Sequence, residues 1–194
     1  MISDPVATAA LAGLAGVRHH YAYAVEVVPK QPGLYAFHGD PAAWTSLGIE
    51  PAFEGQPLYV GKAERSLNGR DVGTHFAAGK TGSSTVRRSL AALLVDELGL
   101  VAVPRNLAKP DGSANFGLDP ASEKRLSDWM QTHLSLSTWT KPDGAVLDDV
   151  ETVVVSRLTP PLNLDKVGEP RERLRAARRR MAAAARAWQP HSSS

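Results

Sequence analysis

Gly33-Leu34-Tyr35-Ala36-Phe37 and Pro57-Leu58-Tyr59-Val60-Gly61 decide the fold of this chain. Each is a short run of strand-forming residues that couples a tyrosine to a glycine at its edge. Turn-forming residues bound them, with residues 29 to 33 before the first run and Gly39-Asp40-Pro41 after it. An antiparallel pair of strands is the natural reading. Residues 42 to 56 make a connection longer than a tight hairpin and are expected to hold a helical turn at 42 to 47. Upstream, residues 21 to 28 alternate well enough for a lead-in strand, and residues 4 to 16 read as a short Ala-rich helix.

Downstream of Gly61 a polar run reaches Gly73. Ser83-Ser84 then caps a helix with Val86, Leu90, Leu93, Leu94 and Leu98 on one face and Gly99 as its stop. Residues 101 to 118 are loop-rich. Asp119-Pro120 opens another helix with Leu126, Trp129, Met130 and His133 on its inner stripe, and a third strand follows at 134 to 140. Residues 147 to 158 are rich in β-branched side chains, but Leu147, Val150, Val154 and Leu158 recur at helical spacing and Asp148-Asp149 suit a helix N-terminus. On that helix Glu151 falls along the apolar stripe. A carboxylate there needs a metal ion, an arginine or a tyrosine hydroxyl, unless it only reaches solvent from the border of the stripe.

The chain of 194 residues is 43% hydrophobic, enough for one domain with a tail. It has no cysteine, which excludes disulfide scaffolds, thiolate zinc sites and cysteine nucleophiles. The six histidines show no helical metal-ligand spacing. Residues 1 to 17 lack a basic flank and carry Asp4, and no segment is long and apolar enough to span a bilayer, so a soluble, cytoplasmic protein with no membrane partner is expected. The net charge is only +2, yet residues 169 to 189 hold seven arginines against Glu169 and Glu172. There Leu174, Ala177, Met181, Ala184 and Trp188 fall on one helical face, while Arg171, Arg175, Arg178 and Arg179 project mostly elsewhere. Such a helix is either a docking element with a solvated arginine face or a phosphate-contacting one. Gly79-Lys80-Thr81 lacks the upstream glycine of a nucleotide-binding loop, since position 74 is Thr74. It reads better as a basic loop beside a substrate groove, together with Arg87 and Arg88.

Gly-Leu-Tyr, then Tyr-Val-Gly-Lys-Ala, then Arg and His, then Glu151 and the Asn163 of Pro160-Pro161-Leu162-Asn163, form an ordered series that resembles the GIY-YIG nuclease superfamily. The resemblance covers residues 30 to 82 and 145 to 166. Residues 129 to 164 and the Arg-rich end also resemble actinobacterial members of that superfamily. It implies an α/β (α+β) fold, a small three-stranded antiparallel sheet flanked by helices, here with an extra C-terminal Arg-rich helix. The expected organisation is an N-terminal helix and lead-in strand (1–28), a nuclease domain (29–166) with an insert around 100–130, and a basic C-terminal helix and tail (167–194). Carried over, Tyr35 and Tyr59 are the motif tyrosines, Gly33 and Gly61 the motif glycines, and Lys62 follows the second motif. Arg70 matches the helix arginine, His75 a position held by His or Tyr, Glu151 the metal-binding glutamate and Asn163 the asparagine near the end of the core.

Phosphodiester hydrolysis needs an activated water, a cation against the charge that develops on phosphorus, and help for the leaving oxyanion. The resemblance implies one Mg²⁺ or Mn²⁺ at Glu151, with water and phosphate oxygens completing its shell. Arg70 would hold the scissile phosphate. Tyr35 is the favoured general base, its proton, bound with a pKa of about 10 in a free phenol, being drawn off by nearby cations or passed to His75 or Lys62. Tyr59 would orient the water or the phosphate, although either tyrosine could accept the proton. Arg87, Arg88, Arg175, Arg178 and Arg179 are the expected nucleic-acid contacts. The expected substrate is DNA, with RNA not excluded, and a homodimer could cut both strands. The alternative is a nucleic-acid-binding or partner-docking module on the same fold without turnover.

Overall fold

A four-stranded antiparallel sheet separates two apolar layers in the computed structural model, which describes residues 5–20, 24, 26–68, 79–107, 115–168 and 171–189. The strands are β1 (His19–His20), β2 (Gly33–Gly39), β3 (Tyr59–Ala63) and β6 (Leu134–Thr140), in the order β1-β6-β2-β3. A separate small ladder pairs β4 (Ala102–Val103) with β5 (Gly117–Leu118). The helices are α1 (Pro5–Ala15), α2 (Pro41–Leu47), α3 (Thr85–Leu93), α4 (Val95–Leu98), α5 (Pro120–His133), α6 (Leu147–Leu158) and α7 (Glu172–Ala187).

Strand β2 is buried on both sides because alternate residues serve different layers. Leu34 and Ala36 join Val60 of β3 against α1 and α6, where Ala10, Leu14, Leu147, Val150, Val154 and Val155 close the layer. Tyr35 and Phe37 face the other way, toward a larger cluster fed by α2, α3, α5 and α7. The register of β2 with β3 sets Tyr35 opposite Gly61 and Leu34 opposite Lys62. Gly33 meets the carbonyl oxygen of Trp139 where a Cβ would have to sit, so no other residue fits there.

Local signals place most helix ends. The Asp40 carboxylate accepts from Ala43 N at 2.7 Å ahead of Pro41, and Gly48 ends α2 in the left-handed region. Asp119 caps α5 in the same way through Ser122 N at 2.7 Å, ahead of Pro120. Ser84 caps α3 by accepting from Arg87 N at 3.2 Å.

Four expectations change. The sheet has four strands rather than three, because His19–His20 pairs with β6. Within the span read as a lead-in strand, Ala24, Glu26 and Val27 are helical. Ala24 and Val28, one helical turn apart and joined by a 3.1 Å hydrogen bond, are both buried, so packing overrides strand propensity. The helix expected to run to Gly99 breaks at Leu94 into α3 and α4. In the C-terminal helix Leu174, Ala177 and Met181 are buried as expected, but Ala182 and Ala185 complete the stripe and Ala184 is exposed. Helix α7 packs along α3 and against β4. Residues 120–133, counted in part with the insert, form α5, whose Leu126 and Met130 are in the main core. Among the described residues, no helix is long and apolar enough to cross a membrane.

Candidate active site

The two motif tyrosines meet because a glycine leaves room for them. A Cβ on Gly61 would lie 2.5 Å from both Cζ and Oη of Tyr35 and 2.9 Å from Cε1 of Tyr59. The Tyr35 ring therefore rests on the bare backbone of β3, with its centroid 6.2 Å from that of Tyr59 and 5.8 Å from that of Phe37. Tyr35 is 1% exposed, whereas Tyr59 is half-buried. Of the two, Tyr59 is the phenol that a bound phosphate could reach.

Strand β3 is an edge strand, and an uncovered edge would leave polar backbone groups unpaired. Asn163 covers it. Its Oδ1 accepts from Val60 N at 2.9 Å and its Nδ2 donates to Val60 O at 2.8 Å, so the amide stands in for a neighbouring strand. Leu162 N adds a bond to Leu58 O at 2.9 Å, and Ser89 Oγ reaches Leu162 O at 3.3 Å. Asn163 is buried and engaged by backbone, so it positions the strand that carries Tyr59 and Lys62.

On the α6 side of β3 the charges answer one another. Lys62, sharing a face with Leu34, places Nζ 2.7 Å from Asp148 Oδ1 and 3.4 Å from Glu64 Oε1. Lys166 places its Nζ 2.8 Å from Asp148 Oδ1 and 2.7 Å from Glu151 Oε2. The carboxylate expected to need a partner has Lys166, a lysine three residues past Asn163, beside it. Lys166 arrives through a left-handed backbone conformation with φ 65°. Hydrogen bonds from Lys166 and then Lys62 hold the exposed Asp148 carboxyl down to about 2. The bond to Asp148 raises Lys62. For Lys166, burial acts downward but its bonds to Asp148 and Glu151 leave it raised. Asp148 and Lys166 were missed from the sequence; the signal for Asp148 was its i,i+3 spacing from Glu151 on a helix.

The opposite side of β3 is cationic. Neighbouring arginines on α3 have different fates there. Arg87 is 0% exposed, with Nη2 2.8 Å from Glu123 Oε2 and 2.9 Å from Ser127 Oγ, and Nε 3.1 Å from Thr81 Oγ1. This corrects its reading as a nucleic-acid contact, because the guanidinium is turned inward and consumed by an internal ion pair. Thr81, in the segment expected to be a basic loop beside a substrate groove, is buried and hydrogen-bonded to the same glutamate. Arg88 is 8% exposed and donates through Nη1 to Gly82 O at 2.7 Å, but its buried Nε has no partner among the described residues. Burial, then the neighbouring charges of Arg178 and Arg105, push Arg88 down to about 10, while Tyr59 acts in the opposite sense. Arg178 on α7 is half-buried, its Nη1 is buried without a partner, and burial lowers its pKa against the opposing influence of Tyr59. Arg175 is tied to Leu164 O at 2.7 Å and lies 3.7 Å from Asp165 Oδ1, while Arg179 is exposed. Arg70 and His75 lie outside the described residues.

Hard oxygen donors suitable for Mg²⁺ or Mn²⁺ are present at Glu151 and Asp148, and the Glu151 ion pair engages Oε2 rather than Oε1. Among the described residues no group of three or more His, Cys, Asp or Glu side chains could hold an ion. The residues therefore fit an ion that takes one or two carboxylates and fills its shell with water and phosphate oxygens, as Mg²⁺ commonly does.

No curated protein and no solved structure matches the chain. The family described as the GIY-YIG catalytic domain matches it over residues 53–180, from before Tyr59 through Glu151 and Asn163 into the Arg-rich helix. With that match across most of its length, the chain belongs to the GIY-YIG catalytic domain family, a family of nucleases.

Proposed function

We propose that this protein is a divalent-metal-dependent endonuclease that hydrolyses phosphodiester bonds in DNA. The observation that carries the reading is the stacking of Tyr35 on Gly61 beside the accessible Tyr59, on an edge strand with Lys62 and Glu151 on its other side. The family match supplies the class of reaction.

Glu151, with Asp148 beside it, would hold the ion, and Mg²⁺ or Mn²⁺ bound there supplies charge neutralisation at the phosphoryl oxygens. The Tyr59 hydroxyl contacts the attacking water or the phosphate. Tyr35, sealed beneath, fixes the Tyr59 ring and takes the role of base only if a proton path reaches it. Lys62 returns protons and keeps the Asp148 carboxylate ionised. Arg70 holds the scissile phosphate and His75 relays a proton, on the strength of their motif positions alone. Asn163 holds β3 in register.

A second reading, a nucleic-acid-binding module without turnover, is favoured by the 2.7 Å Lys166–Glu151 pair, in which a lysine takes up the metal-binding carboxylate. Cleavage of supercoiled plasmid, branched DNA and a matched RNA with Mg²⁺ or Mn²⁺ decides between them, comparing wild type with Glu151→Gln and Tyr59→Phe. Metal-dependent products from wild type but not from Glu151→Gln support the endonuclease. Tight binding with no product from any of the three, on any substrate, supports the module.

A further inference from the structure

Arg88 and Arg178 are poor choices for purely structural cations. They come from two helices, α3 and α7, that pack together, and the like charge of Arg178 acts on Arg88. Arg88 Nε and Arg178 Nη1 are both buried with no acceptor among the described residues, a costly state for any donor and more so for a charged one. Position 178 also lies one turn from both Leu174 and Met181, which are buried, so an apolar side chain there would extend the stripe. Asp165 is the carboxylate nearest in influence to Arg178, but its side chain is 90% exposed and sits by Arg175. A third guanidinium approaches from the β4 side. Arg105 lies against Gly82, where a Cβ would come within 2.8 Å of its Cγ, and Arg88 donates to the carbonyl of the same glycine. Arg105 also lines an open groove with Gly79, Lys80, Gly82 and Ser83, so this rim of the cluster faces solvent.

We propose that Arg88 and Arg178, with Arg105 at the rim, form an anion pocket beside Tyr59 that takes a backbone phosphate of the nucleic acid next to the one being cleaved. An oxyanion there supplies the acceptors that Arg88 Nε and Arg178 Nη1 lack, and it offsets the repulsion between the guanidiniums. The C-terminal helix is then part of the substrate site rather than an appended docking element. The identity of the ligand as a nucleic-acid phosphate rests on the nuclease reading; the pocket itself does not.

The probe is inorganic phosphate, followed by thermal unfolding of the full chain at constant ionic strength with chloride as the control. Wild type should show a Tm that rises with phosphate beyond the chloride control, and Arg178→Met should lose that shift while keeping its fold by circular dichroism. Arg178→Gln gives the same comparison should the methionine variant fail to fold. In DNA binding, Arg178→Met should reduce the slope of log affinity against log salt by about one, and Arg186→Gln, an exposed arginine at the end of α7, serves as the comparison. An unchanged phosphate shift in both Arg178 variants, or no phosphate shift in wild type, overturns the pocket even if plasmid is cleaved. A phosphate shift lost in Arg178→Met from a protein that cleaves nothing supports the pocket and leaves the nuclease reading to fail on its own.

Discussion

On the α6 side of β3, Lys62 and Lys166 each meet carboxylates within 2.8 Å, while on the α7 side Arg88 and Arg178, from two packed helices, have buried N–H groups that meet no acceptor among the described residues. The same edge strand separates a set of charges satisfied within the protein from a set that is not. A folded chain tolerates the first arrangement for stability and register alone. The second costs stability without return inside the protein, so it points outward, to an anion supplied by something else.

The largest effect expected on this contrast is in activity. Glu151→Gln should lower metal-dependent cleavage by on the order of 10³-fold, the several kcal/mol that metal stabilisation of a phosphoryl group contributes. Its DNA affinity should stay near wild type in a filter-binding or anisotropy titration. Comparable loss of binding and cleavage would mean that the α6 side holds substrate rather than performing chemistry.

Arg87 and Arg88 sharpen the contrast through stability. Removing Arg87 leaves Glu123 buried without its cation, and Arg87→Met should cost about 3–5 kcal/mol in urea unfolding. Arg88→Met gives up the bond to Gly82 O but also removes an unsatisfied donor, so its cost should stay near about 1 kcal/mol. Equal costs at the two positions would erase the distinction between an internal and an outward-serving arginine.

Acid titration separates these charges from an unrelated buried group. His38 is buried, with Nε2 2.9 Å from Ser137 Oγ; Ser137 donates to Leu14 O, so the His38 ring donates to Ser137 and keeps Nδ1 unprotonated. Burial, then the charge of Arg18, holds His38 down to about 4. The unfolded chain binds this proton first, so the contribution is fully present above pH about 6.5 and is lost as pH falls toward 4, on the order of 3 kcal/mol in all. Asp148, held down to about 2, acts in a lower window, with its contribution present above pH about 4 and lost as pH falls through 2. Because Asp148 is exposed, that second loss should be small. Chemical denaturation at pH 7, 5 and 3, repeated with His38→Gln, should remove the upper window and leave the lower one.

A further test concerns the strand between the two sides. Asn163→Ala strips two hydrogen bonds from Val60 and should cost about 2 kcal/mol, with a drop in kcat larger than any change in DNA affinity. Retained kcat would show that β3 keeps its register without the clamp.

Much of the fold was legible because its signals are local. Asp119-Pro120 and Ser84 mark helix starts through hydrogen bonds confined to a few residues. The period of Leu147, Val150 and Val154 identified α6 against its own strand propensity. The site was legible less evenly. Motif order singled out Tyr35, Tyr59, Gly61 and Glu151 as candidates, whereas Lys166 beside Glu151, the clamp made by Asn163 and the inward turn of Arg87 have no such signal.

By itself, then, the sequence determined the strand pair, the helix that carries Glu151 and the family, because these rest on residue types at short, fixed spacings. Tertiary structure alone decided which of Arg87 and Arg88 is spent inside, since Glu123 lies on another helix. It also decided which face of β3 is neutralised and which is left cationic. Charge compensation depends on distances between elements far apart in the chain, and no spacing along the sequence encodes them.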